Sequence, residues 1–162
     1  CGPVEVHSAH IPAGESHGWT KIETFEGIHK RLARESTMPR ILCGDFNSPQ
    51  KETEDGTVVT FGQSLGPDGL AVNKGDARWA RGEHSVITGL AEYDLPDVYR
   101  MLNGYQVQEV SWSRKIWGRQ HGRRFDHVFA SRSLNPVRCR YLHAFREAGL
   151  SDHSPIEVCF DP

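Results

Sequence analysis

The chain has 162 residues, 37% of them apolar and 25% charged, with a formal net charge of −2. That balance suits one folded domain over residues 1–162 with a buried core, and it excludes a disordered chain. No apolar run approaches the roughly 20 residues of a membrane-spanning helix, no signal peptide opens the chain, and the slight acidity excludes attraction of nucleic acid by overall charge.

Val4 to Ile11 reads as a strand that ends at the Pro12-Ala13-Gly14 turn. Thr20 and Glu23 then have the spacing of a capping box, and Ile22, Phe25, Ile28 and Leu32 recur at helical spacing. That helix is expected to end near Ser36, ahead of Pro39. Arg40 to Cys43 is the next strand, and Thr57 to Phe61 another. Residues 62–92 hold many glycines and charges with weak periodicity, which predicts a long surface excursion. Asp94 is placed to cap a short helix through Leu95, Val98, Tyr99 and Leu102, with Pro96 in its first turn. Further strands are predicted at 106–112, 125–131, 136–143 and 155–160. Val137, Cys139 and Tyr141 alternate there with Arg138 and Arg140, as on a half-exposed strand. Helices among more numerous strands predict a layered α/β protein rich in antiparallel pairing.

Cys1, Cys43, Cys139 and Cys159 form no CxxC pair and no zinc-ligand spacing. Three of them lie in apolar runs, where cysteine serves as a small buried hydrophobe. A reducing, cytoplasmic setting fits this usage. The start at Cys1-Gly2-Pro3, without a methionine, reads as a cut end.

Four segments carry candidate chemistry. In "ILCGDFNSP" (41–49), Asp45 and Asn47 lie two apart, so on an extended chain both face one way while Phe46 points into the core. Such a pair can hold a water and a phosphoryl oxygen, or share a metal; an Asx-turn closing the strand is the plainer alternative. In "GLSDHSP" (149–155), Asp152 suits a hard cation and His153 titrates near neutrality, although the two adjacent side chains diverge. In "RRFDHVFAS" (123–131), Asp126 needs a partner if buried. His153 would serve, with Asp126 orienting it, and a salt bridge to Arg123 or Arg124 is the alternative. In "VHSAHIP" (6–12), the spacing of His7 and His10 sends them to opposite faces of a strand, which argues against a chelating pair and leaves His10 as a phosphate-binding candidate. Arg114, Lys115, Arg119, Arg123 and Arg124 crowd one segment with Trp112 and Trp117, either as a solvated loop or as a rim that receives an anionic substrate. Arg124, Trp112 and His7 are the candidate substrate-binding residues.

Together "HIP", "ILCGDFNSP", "DLPDVYR", "SW", "RRFDHVFAS" and "LSDHSPIEV" resemble, in order and spacing, the endonuclease/exonuclease/phosphatase superfamily of DNase I, the abasic-site endonucleases and the neutral sphingomyelinases. The resemblance implies a four-layer α/β sandwich of mainly antiparallel sheets and divalent-metal-dependent hydrolysis of phosphoric esters. It implies that Asp45 positions or activates the attacking water, that Asn47 holds it and the phosphoryl group, and that His153, oriented by Asp126, is the catalytic histidine. It also implies Asp152 as a ligand to Mg2+ or Mn2+ and His10 as a contact to a phosphoryl oxygen. The family has an N-terminal portion, with an asparagine and a metal-binding glutamate, ahead of the strand matching Val4 to Ile11. No residue here takes that glutamate's place. A fragment is therefore expected, with an exposed sheet edge or apolar face that a homodimer mate or the missing segment would cover.

Two rival functions follow from the same residues. One is a catalytically incompetent fragment or scaffold domain of the same fold. The other is a serine hydrolase, because "GQSLG" (62–66) fits G-x-S-x-G and Ser64, Asp126 and His153 keep the serine–acid–histidine order. A nucleophile elbow must open a helix, however, and Gly66-Pro67-Asp68-Gly69 forbids one.

Overall fold

The computed structural model describes residues 2–161, apart from the side chain of Ile116. In chain order its elements are β1 (Glu5–His10), α1 (Gly14–His17), α2 (Thr20–Leu32), β2 (Arg40–Asp45), β3 (Lys51–Glu52), β4 (Val58–Val59), β5 (Gln63–Leu65), β6 (Ala71–Asn73), α3 (Ala77–Ile87), α4 (Val98–Asn103), β7 (Trp112–Ile116), β8 (Arg119–Arg123), β9 (Asp126–Ala130), β10 (Pro136–Tyr141), α5 (Ala144–Glu147) and β11 (Ile156–Phe160). β2 is the centre of a three-stranded sheet, parallel to β1 and antiparallel to β9. β10 and β11 form a second, antiparallel pair, and three hairpins, β3–β4, β5–β6 and β7–β8, complete the strands.

Period-two alternation gives the central sheet two apolar faces. Leu42 and Phe129 are opposite each other in register and turn with Phe46 and Ile11 towards the helices, against Phe25, Leu32, Val86 and Ile87. Ile41, Cys43, Val128 and Ala130 turn the other way, against Cys139, Tyr141, Ile156, Val158 and Phe160 of the second sheet and Val98 and Tyr99 of α4. Helix layer, sheet and opposing sheet thus stack as an α/β sandwich. β1 is the edge of the central sheet, and Val6 on it is 62% exposed.

α2 stops at Leu32 rather than near Ser36. The buried Arg40 guanidinium donates to the Leu32 carbonyl at 2.8 Å and satisfies the helix end there. Its start has no capping box, for Trp19 precedes it and Thr20 is already helical. Residues 62–92 are not a plain excursion, since α3 lies within them, capped by Asp76, whose side chain accepts from the Arg78 N–H at 2.8 Å. α3 packs closely on α2: a Cβ on Gly82 would stand 2.6 Å from Ile22 Cγ2. The short helix expected after Asp94 is α4, and its cap is Asp97, which accepts from the Arg100 N–H at 3.1 Å. Pro96 keeps Leu95 out of a helix, so α4 begins only beyond it. No strand forms over 106–111; β7 starts at Trp112 and continues into β8. Among the described residues no helix is long and apolar enough to cross a membrane, and Cys43, Cys139 and Cys159 are free thiols.

Candidate active site

Sheet register alone lines up three polar side chains. His10 ends β1 opposite Asp45, which ends β2 opposite Asp126, which begins β9. All three share the face of Ile41 and Cys43. Gly44 makes the tight β1–β2 approach possible at this end, because its φ is +143° and a Cβ there would lie 1.8 Å from the Ala9 carbonyl oxygen.

Beyond Asp45 the chain turns sharply. The Asn47 N–H donates to Asp45 Oδ1 at 2.8 Å, and Asn47 Nδ2 donates to Asp45 Oδ2 at 3.2 Å and to the Ile11 carbonyl at 2.9 Å. An Asx-turn and a side-chain pair therefore coexist, with Asn47 in the left-handed region at φ +46°. Phe46 between them is fully buried, edge-on to Phe129 and His127. The loop is held from behind by two residues that the sequence reading missed. Buried Lys21 donates to the Asn47 carbonyl at 2.8 Å and pairs with Glu83 at 2.7 Å. Glu83 also accepts from the Ser48 hydroxyl and from the Phe61 N–H at 2.8 Å. A signal for Glu83 was available, for it stands three residues from Ala80 and Val86 on the buried face of α3.

Asp126 and His153 meet: Asp126 Oδ2 accepts from His153 Nδ1 at 2.8 Å. Neither Arg123 nor Arg124 pairs with Asp126. The Ser111 hydroxyl oxygen accepts from the N–H groups of Phe125 and Asp126, the Tyr141 hydroxyl donates to the Asp126 carbonyl at 2.5 Å, and the Ser154 N–H donates to the Ser111 carbonyl at 2.7 Å. Segments 111–113 and 151–154 are thereby zipped beside β9, which fixes where His153 stands. Among the described residues Asp45, Asp126 and His153 form one group whose ligand atoms all lie within 4.8 Å of one another.

Burial pushes the Asp45 carboxyl above its ordinary value; the Asn47 N–H opposes this, and the Asp126 carboxylate reinforces it. The hydrogen bond that His153 donates to Asp126 raises the imidazole; burial opposes it, and the charges of Asp126, Asp45 and Asp152 add to it. His10 reaches the rim, its Nε2 3.6 Å from Asp45 Oδ2 and its side chain 78% exposed.

Several candidates stand elsewhere. Asp152, expected beside the metal, lies outside the group of three; its Oδ2 accepts from Trp112 Nε1 at 3.0 Å, as the divergence of adjacent side chains requires. Trp112 itself is on the rim, stacked on Phe125. Arg124 is not a substrate contact. Its side chain is 1% exposed and bonds Glu52 through two nitrogens and Asp97 at 2.8 Å. His7 faces the helices, on the side of the sheet opposite His10, and bonds Glu5 at 2.8 Å, so it too is no substrate contact. Ser64 lies in hairpin strand β5, with no helix after it, which removes the nucleophile elbow.

Behind the site runs a buried ionic network that the sequence reading also missed. Glu52 bridges Arg100 and Arg124, and Asp97 accepts from Arg124 and from His127 Nδ1 at 2.8 Å, while His127 Nε2 faces the Ser48 carbonyl at 2.8 Å. Burial alone would raise Glu52, but the Arg124 and Arg100 guanidinium groups hold it down at about 2; Asp97 is likewise held well below the carboxylate range against its burial.

No protein-family model and no curated protein matches the sequence. Solved structures do match in fold. A 3' phosphatase from Neisseria, NExo, bound to a product DNA hairpin, superposes with a TM-score of 0.62 at 18% identity over 97% of this chain and 61% of that one. An endonuclease/exonuclease/phosphatase family protein from Leptotrichia buccalis gives 0.50 at 17% identity, over 98% of this chain and 49% of that one. The fold is that of the endonuclease/exonuclease/phosphatase proteins, and the chain spans about half to three-fifths of the length of these two.

Proposed function

We propose that this chain carries the catalytic end of a divalent-metal-dependent phosphoric ester hydrolase. One observation carries the reading: Asp45, Asp126 and His153, drawn from three distant parts of the sequence, present their ligand atoms within 4.8 Å of one another at one end of a sheet. The fold shared with a phosphatase supports it.

The donors suit a hard cation. Asp45 is already raised by burial with the Asp126 carboxylate beside it, a repulsion that a divalent ion would relieve. Asp45 and Asn47 would hold Mg2+ or Mn2+, which when bound offsets charge on the phosphoryl oxygens. Asp45 orients a water for in-line attack at phosphorus and takes its proton, while the bond from phosphorus to the ester oxygen on the opposite side breaks and that oxygen leaves as an alkoxide that solvent protonates. His153, with Nδ1 tied to Asp126, has Nε2 left for the substrate, and in its protonated form donates to a phosphoryl oxygen as charge builds there. Asp126 selects that form, and Lys21 and Glu83 fix the Asn47 loop. His10, exposed beside Asp45, adds a donor on the rim.

The test is hydrolysis of a bis-aryl phosphodiester with Mg2+ or Mn2+, run beside His153→Ala and Asp45→Ala. Both substitutions should lower metal-dependent turnover by about a hundredfold or more. A rate insensitive to both would return the chain to a non-catalytic binding domain.

A further inference from the structure

The arm formed by β7 and β8 is a strongly cationic feature of a slightly acidic chain. From Val110 to Phe125 there is no Asp or Glu, while Arg114, Lys115, Arg119 and Arg123 all fall on the two strands. Register sorts these charges. Trp112 is opposite Arg123 and Arg114 opposite His121, with Arg119 two residues along from His121, so the three arginines and Trp112 share one face. Lys115 and Gln120 are on the other face with Gly122, where a Cβ would meet Val110 Cγ1 at 2.8 Å, so at its root that second face is backed by the protein. Among the described residues Arg114 and Arg119 have no ion-pair partner and are exposed.

The arm is rooted in the site. Trp112 pairs with His153 in an isolated bridge and donates to Asp152, and Arg123 donates to the Gln50 carbonyl at 3.2 Å. Its tip is Trp117, 98% exposed at φ +47°, followed by Gly118 at φ +78°. Five residues at roughly 3.4 Å each carry that indole about 17 Å from Trp112. An exposed indole at the end of a row of arginines, continuous with a phosphoesterase site, matches what a single nucleic acid strand offers: phosphates at regular intervals and flat bases. A membrane surface would engage the tip alone and leave the arginines near the root without a partner.

We infer that the cationic face of the β7–β8 arm binds a single strand of nucleic acid, with Trp117 stacking on a base a few nucleotides from the phosphate held at His153. The proposal rests on the phosphoesterase function proposed for the site. Fluorescence anisotropy of a labelled oligothymidylate, measured on the full chain in EDTA across a salt series, tests it without turnover. Trp117→Ala should weaken binding about tenfold, the loss of one stacked base. Arg114→Ala with Arg119→Ala should flatten the log–log salt slope by about 1.4, at roughly 0.7 per phosphate contact on a single strand, and Lys115→Ala should leave it unchanged. All four residues are exposed, so folding is not at issue. Binding unaffected by Trp117→Ala and by the arginine pair, a slope change for Lys115→Ala equal to that of either arginine, or capture by phosphatidylserine vesicles without oligothymidylate binding would each overturn it. The bis-aryl phosphodiester is too small to reach the arm and keeps the two proposals apart. Its hydrolysis should fall in His153→Ala and hold in Trp117→Ala. If it ignores His153→Ala, the phosphoesterase reading fails while the anisotropy still judges the arm.

Discussion

Residues 126 and 127 belong to two aspartate–histidine pairs with the same 2.8 Å contact and opposite characters. Asp126 meets His153 at the open end of the sheet, while His127, on the next residue and therefore the other face, meets Asp97 in the interior. What surrounds each pair separates them. Asp97 shares Arg124 with Glu52, so its charge is matched on all sides and its carboxyl is held down. Beside Asp126 stands a second carboxylate, Asp45, which burial pushes up, and His153 keeps one ring nitrogen uncommitted. Contact distance alone does not mark a site; unmatched charge at an accessible edge does.

Substitution should break the two pairs in opposite ways. Arg124→Met would leave Glu52 and Asp97 buried without their shared cation and should cost about 3–5 kcal/mol, read as a lower urea midpoint. His153→Ala and Asp45→Ala should barely move that midpoint yet lower turnover about a hundredfold to ten-thousandfold. Activity losses that track stability losses in all three variants would erase the distinction.

Protonation sharpens the same contrast. Turnover should fall on the alkaline side as His153 loses its proton, above its ordinary 6.5, and on the acid side as protons compete with the divalent ion for Asp45. Asp126→Asn removes the partner that favours the imidazolium, so the alkaline limb should move to lower pH; a limb that stays put would exclude His153 as the titrating group. In the interior network acid acts on Glu52. Glu52 is depressed in the folded chain, so its contribution is complete above the unfolded value near 4.5 and is lost as pH falls towards about 2. Acid unfolding of Glu52→Gln should lose that part of its pH dependence.

The smallest effect concerns the loop that joins the two regions. Glu83→Gln keeps the shape but weakens the partner of buried Lys21, and should cost about 1–3 kcal/mol while lowering kcat more than it raises KM.

The open pair was legible in the sequence because strand alternation puts Asp126 on one face and because a half-buried aspartate asks for a donor. The core position of Phe46 and the opposite facing of His7 and His10 followed from the same rule, while the strand expected over Arg40 to Cys43 runs two residues further, to Asp45. The interior network was not legible. Glu52 sits in a two-residue strand, Arg124 reads as one more surface cation in a basic run, and only the tertiary fold brings Asp97 to it. α3 escaped notice because its buried face includes Gly82 and Glu83, which blunts the apolar period. The basic run of the arm was legible but its hairpin was not, because β8 is polar on both faces and draws no alternation from a core.

Asp45 faces His10 and Asp126 only because three strands are threaded in one register. A slip of β2 by a single position would present Gly44 or Phe46 in its place and turn the carboxylate to the far side. On the function proposed for the site, misthreaded molecules with ordinary secondary structure would be catalytically silent, and the fraction of a refolded preparation that turns over would count correctly assembled sheets.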